Sequence, residues 1–278
     1  LDAELKVCVD FLGNMRDFVR DYQLMAIRPR RGAAPLLKGR FAFVARHPAL
    51  GEIHDEFDLE IDVPVNFPRE LPTVRETGRR IPRTEFYHVN QHDQSLCLGS
   101  PLRLRVLLAE KPTLVGFAET CLVPFLAGAS YKLTTGKPLP FGELDHGAPG
   151  ALEDYRLLFK VESAQQALAT LRLLGKKKRI ANKLPCPCGC GLRLGRCAFR
   201  SRLIPFRALA SRGWYRTQFD EMSRHLGLLE KRVAARRRGA EHSTAAGSYS
   251  RAGYSQQQDS YASFRAAVLG GATSMSTA

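Results

Sequence analysis

The stretch Phe57-Asp58-Leu59-Glu60-Ile61-Asp62-Val63, continued by Asn66-Phe67-Pro68-Arg69-Glu70-Leu71-Pro72, decides how the chain folds. Its first part alternates apolar and acidic residues with strict period two, the pattern of a strand with one buried face. Its second part is punctuated by prolines, which have no N–H to give a sheet ladder, so it connects strands rather than forming one. On the N-terminal side, Gly39-Arg40-Phe41-Ala42-Phe43-Val44 reads as another strand. Before it, residues 3–25 place Leu5, Val9, Phe11, Leu12, Met15, Phe18 and Val19 at the spacing of an amphipathic helix. On the C-terminal side, Thr73-Val74-Arg75-Glu76 is a weaker third strand. A helix followed by antiparallel strands and then helices is an α+β arrangement.

Periodicity is lost from Gly78 to Ser100, where prolines, His and Asn dominate. This irregular stretch holds His88-Val89-Asn90 and, further on, the lone cysteine of Ser95-Leu96-Cys97-Leu98-Gly99. Polar loops of this kind carry function more often than the elements beside them. Pro112 to Tyr131 then reads as a helix that Pro124 must bend or divide. A Gly- and Pro-rich loop, Gly136 to Gly150, contains His146, and Leu152 to Leu174 is helical again.

The chain has 278 residues and is 44% hydrophobic, enough for one or two domains with a core. Charges or prolines interrupt every apolar stretch, so no run is expected to reach the roughly 18 residues that span a bilayer. Leu1 to Asp10 lacks the basic start and apolar centre of a secretory signal, and a cytoplasmic protein without membrane partners is expected. Four of the seven cysteines crowd between Cys186 and Cys197, while Cys8, Cys97 and Cys121 stand apart. In a reducing compartment such a cluster points to metal rather than disulfides.

The net charge of +15 is uneven. Residues 1–160 hold 21 basic and 21 acidic side chains, whereas 161–240 hold 19 basic and 4 acidic. The basic excess therefore belongs to one segment, and it would attract nucleic acid or an acidic protein surface through residues 176–240. Five parts follow: residues 1–160, a helical and basic linker 161–184, a cysteine-rich knuckle 185–200, a basic helical segment 201–240, and a tail 241–278 whose composition reads as disordered.

Phe67-Pro68 with Pro72, then His88-Val89-Asn90, then Ser95-Leu96-Cys97-Leu98 follow in the order of the ubiquitin-conjugating enzyme family. Residues 3–160 resemble that family, with Gly78-Arg79-Arg80-Ile81-Pro82 and Gly99-Ser100-Pro101-Leu102-Arg103 looking like bacterial members from antiviral defence operons. The resemblance implies a ubiquitin-conjugating-enzyme-like fold and a transferase that carries a ubiquitin-like protein, or another protein with an exposed C-terminus, as a thioester on Cys97. A thiolate suits that reaction, being both nucleophile and leaving group. Asn90 would stabilise the oxyanion or hold the loop, His88 would brace it, and His146 would position or deprotonate an incoming amine. A separate activating enzyme, and an acceptor protein such as a cyclic-nucleotide synthase, are the partners implied.

Cys186-Pro187-Cys188-Gly189-Cys190-Gly191 with Cys197 resembles the small zinc motif at the C-terminus of the SecA translocase. Cys186, Cys188 and Cys197 fall on that motif's ligand positions, Ala198 occupies the fourth, and Cys190 could supply the missing donor. The expected cofactor is a structural zinc ion. The rival to the enzyme reading is a non-catalytic binding module, in which Cys97 is incidental and the knuckle with its basic flanks docks on nucleic acid or a partner protein.

Overall fold

The alternating run quoted above is the second half of strand β3 (Gly51–Asp62), with Phe57, Leu59 and Ile61 buried and Asp58 exposed. The computed structural model describes residues 2–47, 51–138 and 147–240, with side chains over 10–46, 51–138 and 147–227. The expected disordered tail, 241–278, and His146 lie outside the described residues. The chain divides into two compact units that part between residues 143 and 144.

In the first unit, β1 (Met25–Arg30), β2 (Ala33–His47), β3 and β4 (Thr73–Glu76) form an antiparallel sheet in sequence order. Register places Phe41 opposite Phe57 and Ile61 opposite both Leu37 and Val74, so one face is continuously apolar. Helix α1 (Asp2–Asp21) supplies Phe11, Met15 and Phe18, spaced four and three residues apart, to the same core. Phe18 stacks on Phe41 with ring centroids 6.2 Å apart. This is the expected α+β arrangement of N-terminal helix, antiparallel sheet and C-terminal helices.

Strand β1, Met-Ala-Ile-Arg-Pro-Arg, does not stand out in the sequence because Pro29 argues against a strand. It lies at the sheet edge, where a missing N–H is tolerated, and its register with β2 shifts between Arg28 and Arg30, around the proline. Helix α2 (Pro101–Leu108) follows the Cys97 loop, capped by the Ser100 hydroxyl, which accepts from the Arg103 N–H.

Helices α3 (Leu114–Phe117) and α4 (Val123–Thr135) are joined without a break by a π-helical turn, Ala118–Leu122. Pro124 neither ends nor divides this helix. The wider turn before it accommodates the ring and the missing donor. The helix Leu114–Thr135 is 22 residues long and holds an 18-residue window with a mean hydropathy of 1.4, which corrects the expectation that no stretch is long and apolar enough for a bilayer. Its burial, 78% of the apolar window, is that of a core helix.

The second unit is helical: α5 (Gly147–Phe159), α6 (Ala164–Leu174), α7 (Lys178–Ala181), α8 (Phe199–Leu209) and α9 (Arg212–Ala240). The single helix expected over Leu152 to Leu174 is two. Lys160 turns left-handed at φ 54°, and Ser163 with Gln166 forms a capping box that starts α6 afresh. Helix α6 packs against α5, α7, α8 and α9 around buried Tyr155, Phe159, Leu171, Leu174, Leu203 and Tyr215.

Gly39 in β2 has φ +151°, and a Cβ there would stand 2.3 Å from the Leu24 carbonyl oxygen. Gly39→Ala is therefore expected to cost about 2 kcal/mol or more, lowering the urea midpoint followed by far-UV circular dichroism. Gly13→Ala, in the interior of α1 with nothing within 4 Å of the added carbon, is expected to raise stability by about 0.5 kcal/mol.

Candidate metal centre and the Cys97 loop

Residues 185–193 fold into a short hairpin. Pro185 bridges Arg193, and the Cys186 N–H donates to the Leu192 carbonyl at 2.8 Å. Gly189 and Gly191 take left-handed φ angles of +81° and +74°, reversing the chain on both sides of exposed Cys190. A 3₁₀ turn, Leu194–Arg196, then delivers Cys197 from the opposite side. The turn is fixed by the Leu194 N–H on the Leu184 carbonyl and the Gly195 N–H on the Asn182 carbonyl.

These turns bring the sulphurs of Cys186, Cys188, Cys190 and Cys197 within 4.8 Å of one another. Two of the separations are 3.2 Å, from Cys186 to Cys188, and 3.6 Å, from Cys188 to Cys197. Tetrahedral thiolates around an ion with metal–sulphur bonds of about 2.3 Å stand about 3.8 Å apart, so the cluster has the size of a coordination shell. Each sulphur also accepts from the backbone N–H two residues later: Cys186 from Cys188, Cys188 from Cys190, Cys190 from Leu192, and Cys197 from Phe199. Such bonds favour the thiolate over the thiol.

Burial pushes the Cys188 thiol up, but hydrogen bonds from the Cys186 thiol and the Cys190 N–H outweigh it and bring it down to about 7. Burial holds Cys186 well above the ordinary thiol range. Four thiolates cannot share so small a volume unaided. A cation at the centre removes the conflict, which is why ligand cysteines ionise on binding. The cluster can coordinate a metal ion, with Cys190 in the position of fourth donor, and four sulphurs leave no coordination position open for a substrate.

Cations surround the knuckle. Lys183 precedes it, Arg193, Arg196 and Arg200 lie within it, Arg202 follows, and all five are exposed. Among the described residues none of the five forms an ion pair with a carboxylate.

In the first unit the stretch from Gly78 to Cys97 is irregular but braced. The Arg80 guanidinium holds the Asp55 carboxylate at 2.7 and 3.1 Å and lies 4.5 Å above the Phe57 ring. Buried Lys132 of α4 donates to the Phe86 carbonyl and sits 4.0 Å from the Phe86 ring centre. The Asn90 side-chain amide donates to the Ser95 hydroxyl at 2.8 Å, and that hydroxyl donates to Asp93 at 2.7 Å. Asn90 thus holds the loop, the second of the two roles its amide could play. His88 adopts a left-handed conformation, φ 54°, and its carbonyl accepts from the Cys97 N–H at 2.7 Å. Arg80 and Lys132 are anchors that sequence reasoning missed, since each resembles an ordinary surface cation until the fold brings it to the loop.

Cys97 itself is half-buried. Desolvation pushes its thiol above the ordinary range, only partly offset by the backbone hydrogen bond from Gly99, and no cationic side chain contributes. Activated cysteines show the reverse, a thiol lowered by a neighbouring positive charge. Cys121 is buried in the π-helical turn, 3.5 Å from the Thr120 hydroxyl.

The thioester reading is corrected by these findings. The cysteines that the fold organises are the four of the cluster, in the geometry of a metal site rather than of an acyl carrier. Transferase, thioester and ubiquitin-like conjugation in antiviral defence do not describe this arrangement, and the basic surface fits docking better. Comparison of the chain with models of known protein families, with curated proteins and with solved structures finds no match.

The purified chain is expected to carry about one tightly held metal ion, read by elemental analysis, and to lose it on Cys186→Ser or Cys188→Ser but not on Cys97→Ser. Because burial raises the Cys97 thiol, its thiolate is scarce near neutral pH and forms as pH climbs past the ordinary thiol range. Alkylation of the Cys97 peptide by iodoacetamide, followed by mass spectrometry, is expected to be slower at pH 7.5 than for the unfolded chain and to go on rising at pH values where the unfolded chain's rate has levelled off.

Proposed function

We propose that this protein is a non-catalytic docking protein whose cysteine knuckle, closed on a structural zinc ion, fixes a basic surface that binds nucleic acid. The observation that carries the reading is the convergence of four sulphurs within 4.8 Å in the middle of the basic segment. An all-sulphur tetrahedral shell suits zinc, which has no redox chemistry and needs only closure. Zinc would tie α7, the hairpin and α8 into one rigid piece, so that cations on all three present a fixed pattern of charge. The exposed cations are mostly arginines, which pair bidentately with phosphate as with carboxylate, and nucleic acid is the ligand that repeats such an anion at every nucleotide along an extended basic segment. The first unit is read here as a ubiquitin-conjugating-enzyme-like scaffold in which Cys97 is incidental. Its support is the order of helix, antiparallel sheet and braced loop. Cysteines kept reduced for zinc suit a reducing compartment, and a cytoplasmic location is part of this reading.

The zinc-loaded chain is expected to bind a fluorescein-labelled oligonucleotide in fluorescence anisotropy, with log K falling against log salt at a slope of about −3 or steeper. Deleting residues 176–240 is expected to abolish binding, Cys186→Ser to weaken it about tenfold or more, and Cys97→Ala to leave it unchanged. Salt-insensitive binding, or none, would refute the reading.

A further inference from the structure

Three large apolar side chains of the second unit are strongly exposed among the described residues: Ile180 at 46%, Leu192 at 48% and Ile204 at 58%. All three belong to the knuckle and its two supports. Ile180 is in α7 just before the hairpin, Leu192 is in the hairpin, and Ile204 is in α8 just after it. The supports are bonded to the knuckle: the Gly195 N–H donates to the Asn182 carbonyl at 3.0 Å, and the Arg200 guanidinium to the Gly195 carbonyl at 3.4 Å. Scattered apolar residues on a surface mean little by themselves. Here each has an exposed cation one or two positions away: Arg179 beside Ile180, Arg193 beside Leu192, and Arg202 near Ile204.

We infer that the knuckle binds unpaired nucleic acid in preference to duplex, with Leu192 and its two apolar companions packing on base faces while the adjacent cations hold the phosphates. This rests on the nucleic-acid reading above and names the form of nucleic acid that the surface fits. A duplex hides the faces of its bases in the stack and offers phosphates and groove edges, which would satisfy the arginines but leave the three aliphatic side chains in water. An unpaired strand offers charged phosphates beside apolar base faces, which suits exposed aliphatic residues that each have a cation one or two positions away in sequence. A membrane surface fits less well, because insertion needs a contiguous apolar face and these three residues are interleaved with strongly solvated charge. Contacts to base faces and phosphates do not read base edges, so recognition would be tolerant of base sequence.

The test uses the full zinc-loaded chain and a labelled, unstructured DNA strand of about 20 nucleotides, alone or annealed to its complement, at two salt concentrations. The unpaired strand is expected to bind about tenfold more tightly than the duplex. Leu192→Ser with Ile204→Ser is expected to remove that preference while duplex affinity, salt slope and zinc content stay unchanged, the zinc content reporting that the knuckle is intact. Leu192→Phe, which enlarges the apolar surface, is expected to tighten the unpaired complex. Equal affinity for strand and duplex, or a preference that survives both serine substitutions, overturns this inference and leaves the docking function standing. Failure to bind either form overturns both, as does binding to phosphatidylserine vesicles in place of either oligonucleotide.

Discussion

Four sulphurs gathered within 4.8 Å impose a condition that the knuckle and the basic surface around it must satisfy. Thiolates at that distance repel, and thiols would leave the converging N–H groups poorly matched. A central cation would resolve both, and would link the hairpin to the turn that leads into α8. A stretch this short and this rich in glycine and cations has little apolar surface with which to hold itself. Its buried residues are Cys186, Pro187, Leu194 and Phe199. With a metal bound, such a link rather than a large core would set the geometry of the basic surface.

The two cysteine environments show how local electrostatics assign roles to one residue type. In the knuckle, backbone N–H groups point at every sulphur, and the Cys186 thiol together with the Cys190 N–H brings the Cys188 thiol down to about 7. At Cys97, burial dominates and raises the thiol. The loop ahead of Cys97 is held at Asp55, Phe86 and Ser95 by partners that spend their hydrogen bonds on one another. Rigidity there is a property of the scaffold, whereas a nucleophile would also require a base or a cation facing the sulphur.

The sheet and the knuckle were both legible along the chain, for different reasons. Period-two alternation from Phe57 to Val63 reports a strand buried on one face, and cysteine spacing over twelve residues is a signal that survives without neighbours. Strand β1 was hidden because Pro29 is tolerated only at an edge, and edge position is a property of the assembled sheet. The break at Lys160 was hidden because Leu152 to Leu174 keeps helical apolarity on both sides of a cap. The thioester reading failed for a related reason. His88, Asn90 and Cys97 stand in a suggestive order, but order says nothing of where an amide points or whether a thiol is wet.

By itself, then, the amino-acid sequence determined the α+β order of elements, the segregation of positive charge into residues 161–240, and which four cysteines could act together. These depend on composition and spacing, which are written locally. Tertiary structure alone decided that the Cys190 sulphur lies within 4.8 Å of the other three, that Asn90 is committed to Ser95, that the apolar run Leu114–Thr135 is a buried helix, and that Ile180, Leu192 and Ile204 face solvent. Each of these is a matter of distance and burial between residues far apart or turned by a few backbone angles, and only the folded chain fixes both.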